Sequence, residues 1–274
     1  MTERGPIGVF DSGYGGLTVF GEIASRLPEY DFLYLGDNAR TPYGTRSFTA
    51  VYHYTLEAVR WLFAHDCRLV VLACNTASAK ALRTIQQKDL PMLAPERRVL
   101  GVIRPVTERL GEFTRTRHVG LFATAGTVRS GSYVIEIRKF FPDVTVHAEA
   151  CPLWVPLIEN GELDGPGAEY FVRKHVERLL ARDPRIDAVI LGCTHYPLLA
   201  GVIARFLPPG VRLISQGPIV AEALADYLRR HPEIDAACGR GGRREFFTTD
   251  DTADFDRLAA LFYGQPVHSA PAGF

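Results

Sequence analysis

Apolar residues in this chain fall into short continuous runs separated by longer stretches where they recur at helical spacing. The runs Ile7-Gly8-Val9-Phe10, Phe32-Leu33-Tyr34-Leu35, Leu69 to Ala73, Val119 to Ala123 and Ala188 to Gly192 are too short for helices and too apolar for loops. They read as buried strands. Between them, residues 18–27, 47–65, 168–181 and 219–230 read as helices, the first ended by Pro28. Further strands are expected at 99–103, 145–150 and 211–214, with an edge strand at 245–249 and a flexible loop around Gly239-Arg240-Gly241-Gly242. The alternation β-α-β-α argues for α/β architecture with parallel sheets flanked by helices.

The pattern repeats. Ile7 to Phe10 matches Val119 to Phe122, each followed by a small, glycine-containing polar turn. Sixty-four positions separate Phe10 from Cys74 and 71 separate Phe122 from Cys193, and both cysteines end an apolar run. A duplicated unit accounts for both. The proline-bearing segment 88–98 interrupts the rhythm. Two pseudo-symmetric α/β domains follow, residues 1–101 plus 212–274 and residues 102–211, with the active site in the cleft between them.

Composition narrows the class without naming a function. Of 274 residues, 31 are basic and 31 acidic, so no charge excess invites nucleic acid or an acidic membrane surface. No apolar run approaches the about 20 residues of a membrane span. Five cysteines without a CxxC pair imply free thiols, a reducing cytoplasm and no metal site. Gly13-Tyr14-Gly15-Gly16 lacks dinucleotide-binding spacing.

The chemistry concentrates at strand ends. A thiol where a strand meets a helix start sees the positive end of the helix dipole, which favours the thiolate. Cys74 and Cys193 both stand there, and a repeat would bring them to one cleft. Asp11 ends the first strand, either as a turn or cap residue or as a carboxylate within reach of Cys74. His195 and Glu159 are candidates for the Cys193 side, against the plainer readings of a packed histidine and a solvated carboxylate. Cys67, Cys151 and Cys238 read as structural.

Five motifs taken together carry a resemblance: Phe10-Asp11-Ser12-Gly13, Gly36-Asp37 through Pro42-Tyr43-Gly44, Ala73-Cys74-Asn75-Thr76-Ala77-Ser78, Cys151-Pro152-Leu153 through Pro156-Leu157, and Gly192-Cys193-Thr194-His195-Tyr196-Pro197. The chain resembles the cofactor-independent aspartate/glutamate racemase family, and within it the bacterial glutamate racemases. Ser215-Gln216-Gly217 departs from the family's usual Asp-Ser-Gly, and Asn38 stands where Thr is commoner. The resemblance implies interconversion of L- and D-glutamate for peptidoglycan by two-base proton transfer, without pyridoxal phosphate or any other cofactor. Cys74 and Cys193 would be the bases, with Asp11, Glu159 and His195 assisting. Ser12, Pro42, Tyr43 and Gly44 would contact the substrate's side-chain end; Asn75, Thr76, Thr124, Thr127 and Thr194 would hold its α-carboxylate and amine. It leaves open aspartate as substrate, a silent binding protein, a homodimer, and the gyrase binding known among relatives. A regulatory N-terminal extension is not expected ahead of a strand beginning at Ile7.

Overall fold

The computed structural model describes residues 4–273. Ten strands are distributed over two parallel sheets: β1 (Ile7–Asp11), β2 (Phe32–Gly36), β3 (Leu69–Leu72), β4 (Arg98–Gly101), β5 (His118–Ala123), β6 (Thr145–Ala150), β7 (Ala188–Gly192), β8 (Arg212–Ile214), β9 (Arg244–Thr248) and β10 (Ser269–Pro271). The first sheet has the order β10-β9-β2-β1-β3-β4 and the second β6-β5-β7-β8. Every pairing is parallel. The central strands β1, β3 and β7 are buried along their whole length, which is why they read as unbroken apolar runs.

The duplication is visible in strand order. β2-β1-β3-β4 and β6-β5-β7-β8 are the same four-strand arrangement, so Cys74 follows β3 just as Cys193 follows β7. This correspondence corrects the expected domain boundary at 211/212. Arg212–Ile214 pairs with Ala188–Ile190 and is the edge of the second sheet, as β4 is the edge strand of its own repeat. Residues 212–214 therefore lie in the second sheet.

The C-terminal segment returns to the first sheet, with one change from expectation. Residues 244–248 form an interior strand between β2 and β10, because Ser269–Pro271 adds beyond them. The loop at 239–242 is also tied down. The Asp31 carboxylate accepts from the Gly241 and Arg243 N–H groups, both at 2.9 Å.

Helices begin and end where local chemistry permits. Ser47 caps the helix Phe48–Ala64 by accepting from the Ala50 N–H at 3.1 Å. The helix Thr252–Tyr263 starts at Asp251, which accepts from Asp254 N–H, and ends at Gly264 with φ of 79°. The helix Gln216–Arg230 packs against Leu17–Arg26 and joins the two domains; a Cβ on Gly217 would sit 2.8 Å from the Glu22 Cγ. Phe20 packs on Tyr34, Phe246 and Tyr263 at 5.4–5.8 Å. Trp154 packs on Phe122 and Tyr196, at 4.9 and 4.8 Å, and both groups lie in one continuous core. Among the described residues no helix is long and apolar enough to cross a membrane.

Candidate active site

The C-terminal ends of β1, β3, β5 and β7 meet where the two sheets face each other, the position at which parallel α/β sheets hold ligands. Cys74 is the cap residue of the helix Asn75–Lys80. Its Sγ accepts from the Ala77 N–H at 3.4 Å and donates to Ser12 Oγ at 3.4 Å. Thr124 holds the equivalent cap of the helix Ala125–Ser130, accepting from Thr127 N–H at 3.3 Å. Cys193 sits within one turn of His195, its Sγ 3.9 Å from Nδ1; the other ring nitrogen is 2.9 Å from Glu159 Oε1. Glu159 is the last residue of the helix Trp154–Glu159.

Electrostatics links the two sides. Both thiols are buried, and a charge on Cys193 adds to the forces raising Cys74. Burial first, and then the Asp11 carboxylate, push Cys74 up to about 12 against the Ser12 and Ala77 hydrogen bonds. The expected thiolate-favouring helix start is present but loses to desolvation. Asp11 is itself raised to about 6, by burial against the opposing influence of His195 and of the Gly16 and Gly13 N–H groups. Its Oδ2 accepts from Gly13 N–H at 3.0 Å, while its buried Oδ1 has no partner. For His195, burial alone would lower the imidazole, but Cys193 and Glu159 together outweigh it and raise it to about 10. The neighbours of His195 thus favour its protonated form.

Three hydroxyls converge beside this pair of thiols. Thr76 Oγ1 lies 3.0 Å from Thr124 Oγ1 and 3.3 Å from Thr127 Oγ1, and Thr124 and Thr127 are 3.1 Å apart. One hydroxyl comes from the first domain and two from the second. Thr194 lies instead beside the Gly15 turn with His195, and its carbonyl accepts from Thr18 Oγ1 at 2.8 Å. Gly44 brings its backbone against Thr124, so close that a Cβ there would lie 2.9 Å from the Thr124 Cβ. Ser12 touches Cys74 directly. Tyr43 is different: its ring is buried on Phe10 and its hydroxyl donates to Asp37.

Three residues of this region escaped the sequence reading. Asn75 Nδ2 donates to Gln216 Oε1 and Asn75 Oδ1 accepts from the Tyr133 hydroxyl, both at 2.6 Å, and Gln216 Nε2 donates to the same Tyr133 oxygen. This closed, fully buried ring joins the first domain to the second directly behind Cys74. Gln216 was visible in the sequence only as a departure from a family motif, and Tyr133 carried no signal. Thr18, on the first helix, holds the Thr194 carbonyl. A cavity of about 680 Å³, bordered by Ser78, Leu100, Arg104, Ser132 and Tyr227, lies elsewhere and contains neither thiol.

Repeated parallel sheets that each deliver one thiol to a shared interdomain edge define a two-domain α/β isomerase. Residues 19–224 match the family model described as Asp/Glu/Hydantoin racemase. The chain belongs to that family. It is 44% identical over 271 residues to a glutamate racemase of Paracoccus denitrificans, covering 95% of this chain and 97% of the relative. Among solved structures it is similar to the glutamate racemase of Francisella tularensis in complex with D-glutamate (TM-score 0.86, 31% identity, 97% and 96% of the two chains covered). It is also similar to that of Thermus thermophilus in complex with β-chloro-D-alanine (TM-score 0.83, 36% identity, 98% and 96% covered).

Proposed function

We propose that this chain is a glutamate racemase, interconverting L- and D-glutamate by proton transfer between two cysteines and supplying D-glutamate for peptidoglycan in the cytoplasm. The observation that carries the reading is the equivalence of Cys74 and Cys193: each ends the same strand of a repeated sheet. The relatives named as glutamate racemases, matched over nearly their full length, support the substrate.

Inverting an α-carbon requires a base on one face and an acid on the other. In the D-to-L direction the Cys74 thiolate removes the α-proton and the Cys193 thiol returns one to the opposite face; the L-to-D direction exchanges the roles. Because Cys74 rests high, near 12, its proton must leave before turnover. Asp11, near 6, is the adjacent carboxylate to receive it, and the substrate's ammonium group favours the thiolate that remains. On the other side His195, held by Glu159, stabilises the Cys193 thiolate as it forms. Thr76, Thr124 and Thr127 offer three hydroxyls to the α-carboxylate, with the helix-start N–H groups behind two of them. Asn75 flanks that subsite. Ser12 and the Pro42-Tyr43-Gly44 backbone bound the side-chain end.

The test is solvent exchange. In deuterated water and with no added cofactor, the protein should invert D- and L-glutamate and place deuterium at Cα of the product, read by proton NMR and circular dichroism. Inversion of aspartate instead would change the substrate and keep the mechanism. Absence of exchange with both amino acids would overturn the proposal.

A further inference from the structure

At the edge of the second sheet remote from the thiols, three side chains from separate parts of the chain converge. His118 opens β5 and His147 lies in β6, where it pairs with Gly120; the two imidazoles therefore stand on one face of neighbouring strands. Their ring centroids are 6.0 Å apart and nearly parallel, at 25°. Asp183, in the turn leading to β7, closes the group. Its Oδ2 is 3.0 Å from His118 Nδ1 and 3.4 Å from His147 Nε2. All three ligand atoms lie within 4.8 Å of one another.

These distances permit hydrogen bonds, yet neither buried ring nitrogen has a hydrogen-bond partner. At such separations only misalignment prevents the bond. The nitrogens therefore point beside the carboxylate oxygen and not at it. Tetrahedral coordination with bonds of about 2.0–2.1 Å puts neighbouring ligand atoms about 3.3 Å apart, close to the separations observed. The carboxylate is also held from behind, as ligating carboxylates commonly are. Its Oδ1 accepts from the Arg185 backbone N–H at 3.0 Å and from Arg185 Nε at 2.9 Å. The remaining contact, Arg185 Nη2 to Oδ2 at 2.8 Å, comes from an exposed side chain that can withdraw when a cation arrives.

We propose that His118, His147 and Asp183 form a binding site for a divalent transition-metal ion of the zinc class, with water completing the coordination. Two imidazoles and one carboxylate are a donor set that such ions favour. The ion would staple β5, β6 and the turn before β7 at the sheet edge opposite the reacting thiols. The site is independent of the racemase reading.

The test uses the full chain, stripped with a chelator and titrated with zinc chloride against a chromophoric zinc indicator. The parent is compared with His147→Gln and, separately, His118→Gln. All three keep Cys74, Cys193 and His195, so any zinc held by those groups cancels in the comparison. The parent should bind one equivalent more than either variant, and zinc should raise its melting temperature while leaving that of the variants unmoved. Retained catalytic turnover identifies the variants as folded, and one folded variant is enough for the comparison. Equal stoichiometry in parent and variants, or no zinc binding by the parent, would overturn the proposal.

Discussion

The Thr76 hydroxyl lies 3.0 Å from the Thr124 hydroxyl although one follows β3 of the first sheet and the other follows β5 of the second. A ligand that takes hydrogen bonds from both is held by both domains at once. Thr76→Val keeps the shape and removes the donor. A hydrogen bond to a charged group contributes about 1.5–3 kcal/mol, so kcat/KM for glutamate should fall about 10-fold or more. Steady-state kinetics in both directions would check this, and an unchanged KM and kcat would remove Thr76 from the carboxylate subsite.

In the proposed mechanism the cysteines act as a pair. Cys74→Ala and Cys193→Ala should each lower kcat by at least about 10²-fold, and in both directions, because general acid–base transfer contributes about 10²–10⁴ and each direction needs both groups. A single variant that slows one enantiomer and spares the other would defeat the two-base reading. Circular dichroism started from pure D- and pure L-glutamate separates the cases.

Asp11 trades stability for chemistry. Its carboxyl is raised from 3.8 to about 6 by burial, so the folded protein prefers it protonated. That preference stabilises the fold fully below pH 3.8 and is lost as pH rises through 6. At pH 7 the ionised group costs up to about 3 kcal/mol relative to the unfolded chain. Asp11→Asn can keep the Gly13 N–H bond without the charge. It should therefore be more stable than the parent at pH 7, by a margin that shrinks towards pH 4, while losing turnover. Urea melts across that range give the answer; an Asn variant less stable at pH 7 would contradict it.

His195 has the opposite consequence for its replacement. Raised from 6.5 to about 10, it contributes stability that is complete below pH 6.5 and disappears as pH climbs through 10. The parent should exceed His195→Asn in stability at pH 6, with the gap closing by pH 10 to 11. Thermal melts over that interval, with the gap constant or widening, would count against an imidazolium held by Glu159 and Cys193.

Two glycines of one turn should respond differently. A Cβ on Gly15 would come 2.2 Å from His195 Nδ1 and 2.4 Å from Thr194 Oγ1, and the His195 ring is held by Glu159. A Cβ on Gly13 would meet nothing nearer than 3.6 Å. Gly15→Ala should thus cost at least about 10²-fold in kcat/KM by moving His195, since small misplacements of catalytic groups have effects of that size. Gly13→Ala should stay within a few-fold of the parent. Comparable kinetics for the two variants would mean the turn does not position His195.

Much of this was legible in the chain because the relevant signals are local. An apolar run that stops at Cys74, or at Cys193, shows a buried strand and its end without reference to anything distant, and a repeated run shows the duplication. The boundary at residue 212 was missed because Arg212–Ile214 is a three-residue edge strand whose partner can only be inferred from the repeat. The behaviour of Cys74 was missed for a different reason. The helix start is written in the sequence, but the burial that overrides it depends on packing from both domains. Convergences outside the repeat and the shared motifs left little trace. Asn75, Tyr133 and Gln216 lie far apart in the chain, and His118, His147 and Asp183 are separated by 29 and 36 positions, unlike any compact metal-binding spacing.

The matching strand orders also bear on kinetics. Mirror-image substrates have equal free energies, so the equilibrium constant of inversion is one and the Haldane relation fixes kcat/KM to be the same for both enantiomers. In the proposed mechanism the duplicated sheets supply one base for each direction, but the surroundings of the two thiols are unequal: Asp11 and Ser12 beside Cys74, His195 and Glu159 beside Cys193. That inequality has nowhere to appear in the specificity constants. It must be expressed as differences in kcat and in KM that cancel, so whichever enantiomer turns over faster at saturation is also the one with the proportionally higher KM.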